Sequence, residues 1–131
     1  MCFGTFDIFH LGHLNLFQQA KKHGDYLIVV IARDETKRKL NKIPHFNEKE
    51  RLEVINGLKI VDEAVLGYSD DLFRIIEEKN PDIICLGYDQ SITEKELKAE
   101  LKKRHLFPEI KRMKPFKESK YKSSKIRKLL K

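Results

Sequence analysis

The sequence predicts an α/β fold, a single doubly wound domain on a five-stranded parallel sheet. Short β-branched runs alternate with segments of helical periodicity. The runs are continuously apolar, as in strands buried on both faces, rather than alternating. No internal repeat or low-complexity linker divides the 131 residues, so 1–131 is read as one domain.

The elements follow in order. Met1-Cys2-Phe3 reads as the end of a first strand, short enough that residues are expected upstream. Gly12 to His23 sets Leu14, Phe17 and Ala20 on one helical face. Tyr26 to Ala32 is the longest apolar run and the clearest strand. Asn47 to Leu58 opens with Asn47 and Glu50 at capping-box spacing. Glu63 to Gly67 and Asp82 to Gly87 are strands whose closing glycines suit tight turns. Ser69 to Lys79 and the segment from Thr93 through Leu101 are helices, the latter behind a Thr93/Glu96 capping box. Glu109 to Met113 is a weaker strand, and Ser123 to Leu130 a final helix with a Ser cap.

Composition narrows the class. Apolar residues make up 40% and charged residues 36%, enough for one modest core and too apolar for a disordered chain. No run approaches the roughly 18 residues of a membrane span, and the N-terminus lacks a signal-peptide pattern. Cys2 and Cys85 sit in apolar runs and read as buried thiols of a reducing compartment. A cytoplasmic protein that binds neither membrane nor nucleic acid is expected.

The net charge of +7 is unevenly placed. Residues 111–131 carry ten basic side chains and one acid, whereas 1–110 are slightly acidic. Composition alone reads the tail as solvated. Its apolar beats, Met113, Phe116, Tyr121, Ile126, Leu129 and Leu130, are more than a purely solvating tail needs, and such a stretch can hold nucleic acid, an anionic surface or the phosphates of a small ligand.

The chemistry concentrates where the first strand meets the first helix, in Gly4-Thr-Phe-Asp-Ile-Phe-His-Leu-Gly-His13. A helix N-terminus attracts phosphate. His10 and His13 are three residues apart and can share that mouth. Gly12 removes a side chain where a ligand comes close, and Thr5 adds a hydroxyl. Zinc binding is disfavoured because no third ligand has supporting spacing. The run is neither Gly-x-Gly-x-x-Gly nor a Walker loop.

This Gly-Thr-Phe-Asp-x-x-His-x-Gly-His element resembles the hallmark of the cytidylyltransferase-like nucleotidyltransferases, and the resemblance covers essentially the whole chain. It implies a Rossmann-like fold and transfer of a nucleotidyl group to a phosphorylated acceptor, with pyrophosphate leaving. It implies that His10 and His13 are catalytic. Thr5, Phe6, Leu11 and Gly12 would line the nucleotide with them, as would Asp89 in Leu86-Gly-Tyr-Asp-Gln90. Tyr121, Ser123 and Ser124 would close over the triphosphate, with Lys120, Lys122, Lys125 and Arg127 supplying charge. Mg²⁺ or another divalent cation would be held mainly by the phosphates, with no protein metal ligands. Asp7, Lys39, Lys42 and Arg51 are candidates for the acceptor or its phosphate. Arg51 is equally a candidate for a structural role, and the basic run Lys37-Arg38-Lys39 is placed in a loop. Relatives are often homodimers.

Two departures separate the chain from glycerol-3-phosphate cytidylyltransferases. The last motif is Lys-Tyr-Lys-Ser-Ser rather than Arg-Thr-x-Gly-Ile-Ser-Thr, and Gly-Tyr-Asp-Gln stands where an Asp-Trp pair is usual. The chain looks more like archaeal FAD synthases, in Ala32-Arg-Asp-Glu-Thr36, Leu86 to Gln90 and Pro108-Glu-Ile110. That likeness implies ATP and FMN as substrates. A cytidylyltransferase acting on glycerol 3-phosphate or another phosphorylated alcohol or sugar is the alternative. A flavin needs apolar walls, for which Phe6, Phe9, Phe46, Phe116 and Tyr121 are the candidates.

Overall fold

The computed structural model describes residues 1–116. Tyr121, Ser123, Ser124 and the final helix lie outside the described residues. Five parallel strands form one sheet: β1 (Cys2–Gly4), β2 (Ile28–Ile31), β3 (Glu63–Leu66), β4 (Ile83–Leu86) and β5 (Glu109–Arg112), in the order β3-β2-β1-β4-β5. From the central β1 the chain winds outward through β2 and β3, then crosses to β4 and β5. The topological switch point therefore lies between β1 and β4, where ligands of such sheets bind. Three residues of β1 register with β2, but only Cys2 registers with β4, opposite Cys85.

Helices cover both faces, so the inner strands β2 and β4 are apolar throughout rather than alternating, whereas the edge strand β5 is Glu-Ile-Lys-Arg. On one face α1 (Leu11–Lys21) and α3 (Glu48–Asn56) set Phe17, Ala20 and Ile55 over Cys2, Val29, Ile31 and Cys85. On the other, α4 (Arg74–Lys79) and α5 (Glu94–Lys102) set Ile75, Ile76, Leu97 and Leu101 over Met1, Val30, Ile84 and Leu86. Both cysteines are buried thiols. Among the described residues, no helix is long and apolar enough to cross a membrane.

Local chemistry corrects three expectations. The basic run 37–39 is not a loop: Asp34–Lys39 forms the short helix α2. Asp34 and Glu35 in its first turn and Lys37, Arg38 and Lys39 in its last complement the helix dipole. The helix expected from Ser69 begins only at Arg74. Asp71 accepts the Phe73 N–H at 3.1 Å and holds Arg104 with both oxygens at 2.9 Å, which keeps residues 69–73 as turns. Asn47 and Glu50 form both halves of their capping box. Thr93 caps α5 through the Glu96 N–H, but the Glu96 carboxylate accepts from the Thr93 hydroxyl instead of the Thr93 backbone. Gly67 and Gly87 close their strands without left-handed backbone. A Cβ on Gly67 would meet Val30 Cγ1 at 3.2 Å, a tight contact that Val30 would have to relieve.

Candidate active site

The turn from β1 into α1 is held by an unusual residue. Phe6 adopts a left-handed backbone (φ 52°), and its ring folds back over Gly4. A Cβ on Gly4 would lie 2.6 Å from that ring, so only glycine fits beneath it. The ring also meets His13 edge-on at 5.2 Å and packs on Phe17. Phe6 is thus buried among protein groups and props His13 from behind.

His10 and His13 then lock one another. The Gly12 N–H donates to His10 Nδ1 at 3.0 Å, and the His10 N–H donates to His13 Nδ1 at 3.3 Å. The rings stack 3.8 Å apart. An Nδ1 that accepts must carry no proton, so each neutral ring bears its hydrogen on Nε2. Burial, with His10 alongside, pulls the His13 pKa down to about 3. Burial lowers that of His10 too, against the opposing pull of the Asp89 carboxylate. At neutral pH the pair is therefore two neutral Nε2–H donors rather than imidazolium ions or bases.

Two cavities meet at this pair. One of about 690 Å³ has Gly4, Thr5, His13, Lys37 and Lys42 in its lining together with the apolar side chains of Leu40, Leu72, Phe73 and Ile92. The other, about 90 Å³, is lined by His10, Gly12, His13, Tyr88, Asp89, Lys114 and Phe116. His13, Leu16, Gly87 and Asp89 border both. Leu40 and Leu72 are 59% and 56% exposed.

The remaining sequence candidates separate. Thr5, Phe6, Asp7, Gly12 and Asp89 join His10 and His13 around the cavities. Leu11 is exposed and lines neither of them. Lys42 lines the larger cavity; Lys39 instead reaches toward the Ser69 carbonyl and Glu35. Asp7 is buried and accepts the His45 and Phe46 N–H groups at 2.8 and 2.9 Å. Of the two roles open to Arg51, the structure gives the structural one. Its wholly buried guanidinium donates to the carbonyls of Thr5, Ala32 and Phe46 and to Asp34 at 2.6 Å. Burial alone would push the Asp34 carboxyl up. The Arg51 and Glu48 N–H donors outweigh it and hold Asp34 below the usual range.

The expected aromatic walls scatter. Phe9 and Phe46 line a separate cavity with Val54, Phe116 borders the smaller one, and Tyr121 is outside the described residues. Sequence reasoning missed Leu40, Leu72, Phe73 and Gln90. Leu40 is the C-cap of α2, and Leu72 lies two residues before α4.

Among the described residues no group of three or more His, Cys, Asp or Glu side chains is placed to hold a metal ion. Asp89 is the carboxylate shared by the two cavities.

Comparison with known proteins gives the family and the fold. The family described as Cytidylyltransferase-like matches residues 1–129. The chain is 44% identical over 128 residues to the FAD synthase of Thermoplasma volcanium, covering 98% of this chain and 90% of that one. It is 48% identical over 122 residues to the FAD synthase of Methanothermus fervidus, covering 91% of this chain and 84% of the relative. A crystal structure described as the lipopolysaccharide core biosynthesis protein from Thermoplasma volcanium superposes with a TM-score of 0.86 at 46% identity, over 88% of this chain and 95% of that one.

Proposed function

The chain belongs to the cytidylyltransferase-like family, and from that premise we propose that it is an FMN adenylyltransferase, which joins FMN and ATP into FAD and pyrophosphate. The relatives named FAD synthase support the activity, over nearly the full chain. The observation that carries the chemistry is the tautomer of the histidine pair. A phosphate monoester has its second pKa near about 6, so the FMN phosphate is already ionised at neutral pH. Its oxygen needs no base to attack the α-phosphorus of ATP. The new P–O bond forms as the bond to the β-phosphate oxygen breaks, and pyrophosphate leaves with the electron pair. The site has only to place the two reactants and offer hydrogen-bond donors to the charge on the phosphoryl oxygens. Neutral Nε2–H groups at a helix N-terminus do so without shuttling a proton.

The two cavities divide the substrates. The nucleotide phosphates lie over the start of α1, by His10, Gly12, His13 and Asp89, with Thr5 at the strand exit. ATP arrives as its Mg²⁺ complex, the ion being carried by the phosphates as part of the substrate. FMN fills the larger cavity, its phosphate toward His13 and Lys42. Its isoalloxazine ring lies against Leu40, Leu72, Phe73 and Ile92, whose apolar faces suit a flat aromatic ligand.

Pyrophosphate release is the test, with ATP or CTP as donor, FMN or glycerol 3-phosphate as acceptor, and Mg²⁺ throughout. Turnover with ATP and FMN, with FAD identified by chromatography, is expected. Turnover with CTP and glycerol 3-phosphate instead would reassign the chain to the other branch. Leu72→Asp should raise the KM for FMN about tenfold, the cost of roughly one poorly buried side chain, with KM for ATP unchanged. Equal changes in both would displace the ring from that wall.

A further inference from the structure

The sheet's one irregular seam is where β4 leaves β1. A parallel ladder would continue past Cys2 and Cys85 in a fixed way. The Cys85 N–H donates to the Met1 carbonyl at 2.9 Å. Two residues on, the Gly87 N–H should donate to the Phe3 carbonyl. It does not. The Gly87 N–H donates to Gln90 Oε1 at 2.8 Å, and Gln90 Nε2 donates to the Phe3 carbonyl at 3.0 Å. A side-chain amide has been inserted into the place of one ladder hydrogen bond. Its orientation is fixed, because an N–H requires the oxygen and a carbonyl requires the nitrogen.

The insertion holds the carboxyl ends of β1 and β4 apart by the width of a carboxamide, at the switch point where the ligand crevice opens. The surrounding loop is held against swinging. The Gln90 N–H donates to the Gly87 carbonyl at 3.2 Å. From β5, the Arg112 guanidinium donates to the carbonyls of Gly87 and Gln90 at 2.8 Å and of Ile92 at 2.7 Å, and its Nε donates to Glu94. On this braced loop sits Asp89, which borders both cavities beside His13. Gln90 itself borders the larger one.

We propose that Gln90 is a positioning residue for nucleotidyl transfer, a wedge between β1 and β4 that sets the crevice width and the place of Asp89 opposite the histidine pair. The proposal rests on the FMN adenylyltransferase reading for one of its two readouts only.

Glutamate at this position makes the test specific. A protonated Glu has the shape and the donor–acceptor pattern of Gln. An ionised Glu still accepts from Gly87 but turns a second acceptor toward the Phe3 carbonyl. Wild type, Gln90→Glu and Gln90→Leu are compared from pH 5 to 8, by kcat/KM for FAD formation and by calorimetric titration with ATP and with CTP. Gln90→Leu should lose about 10²-fold in kcat/KM at every pH, the scale of an ångström-sized misplacement, with circular dichroism unchanged. Gln90→Glu should lose a similar factor at pH 8 and regain at least fivefold relative to wild type by pH 5. Nucleotide affinity should follow the same pattern. A Gln90→Glu ratio that is flat with pH overturns the wedge, as do both variants lying within twofold of wild type. If Gln90→Leu does not fold, the pH dependence of Gln90→Glu decides. If wild type makes no FAD, the acceptor reading fails, and the nucleotide titration still decides on the wedge.

Discussion

Arg51 and the His10–His13 pair stand on neighbouring elements at the same end of the sheet, and they direct their donors in opposite ways. Arg51 is charged and wholly buried, and its donors go to carbonyls and a carboxylate of the protein. The ends of β1 and β2 and the segment entering α3 are tied by one guanidinium. The histidines are neutral. Each uses its Nδ1 as an acceptor for its own helix start, which places the proton on Nε2 at the junction of two cavities. The difference teaches how to tell scaffold from candidate site when both are polar, one buried and the other partly exposed. A scaffold residue is satisfied from every side by backbone, whereas a site residue uses one side to fix the chemistry of the other.

Three experiments would break or sharpen this division. The largest effect is expected at Arg51. Arg51→Met strips the partner from Asp34 and three carbonyls, and should cost about 3–5 kcal/mol in urea unfolding, as breaking buried ion pairs does. A variant that unfolds like the parent but binds FMN weakly would move Arg51 from scaffold to acceptor site. Next is His10→Asn. Asparagine is a good N-cap, so the helix start should survive while the Nε2 donor is lost. kcat should fall about 10²–10³-fold, the usual cost of one such donor, with little change in melting temperature. Unchanged kcat would remove His10 from the chemistry.

The effect that is smallest near neutral pH is in pH dependence. Unfolded His13 protonates near its ordinary value of 6.5, but folded His13 only near about 3. The stability owed to its neutral form is complete above pH 6.5 and is lost as pH falls toward 3. Within that window the slope can reach about 1.4 kcal/mol per pH unit, one proton's worth. His13→Asn should flatten the acid limb by that amount. An acid limb identical in parent and variant would show that His13 titrates normally.

The sheet was legible because both-face burial writes itself as runs such as Tyr26 to Ala32. The site's core was legible because a helix start with paired histidines leaves a contiguous trace. The apolar wall was not. Leu40 and Leu72 come from separate segments, and only the fold brings them to one cavity. Nor could Arg51 be assigned, because an arginine bound to carbonyls and one bound to a phosphate have the same local sequence. Gln90 was read merely as part of a loop motif. Its place in the ladder depends on Phe3, 87 residues away.

The acceptor role of both Nδ1 atoms bears on the direction of the reaction. A pair that ferries no proton forward ferries none in reverse. On the proposed reading, pyrophosphate attacking FAD would meet the same donors as FMN attacking ATP, and no proton transfer at the pair would favour one direction over the other. The balance between synthesis and reversal would then rest on the concentrations of the reactants, pyrophosphate among them.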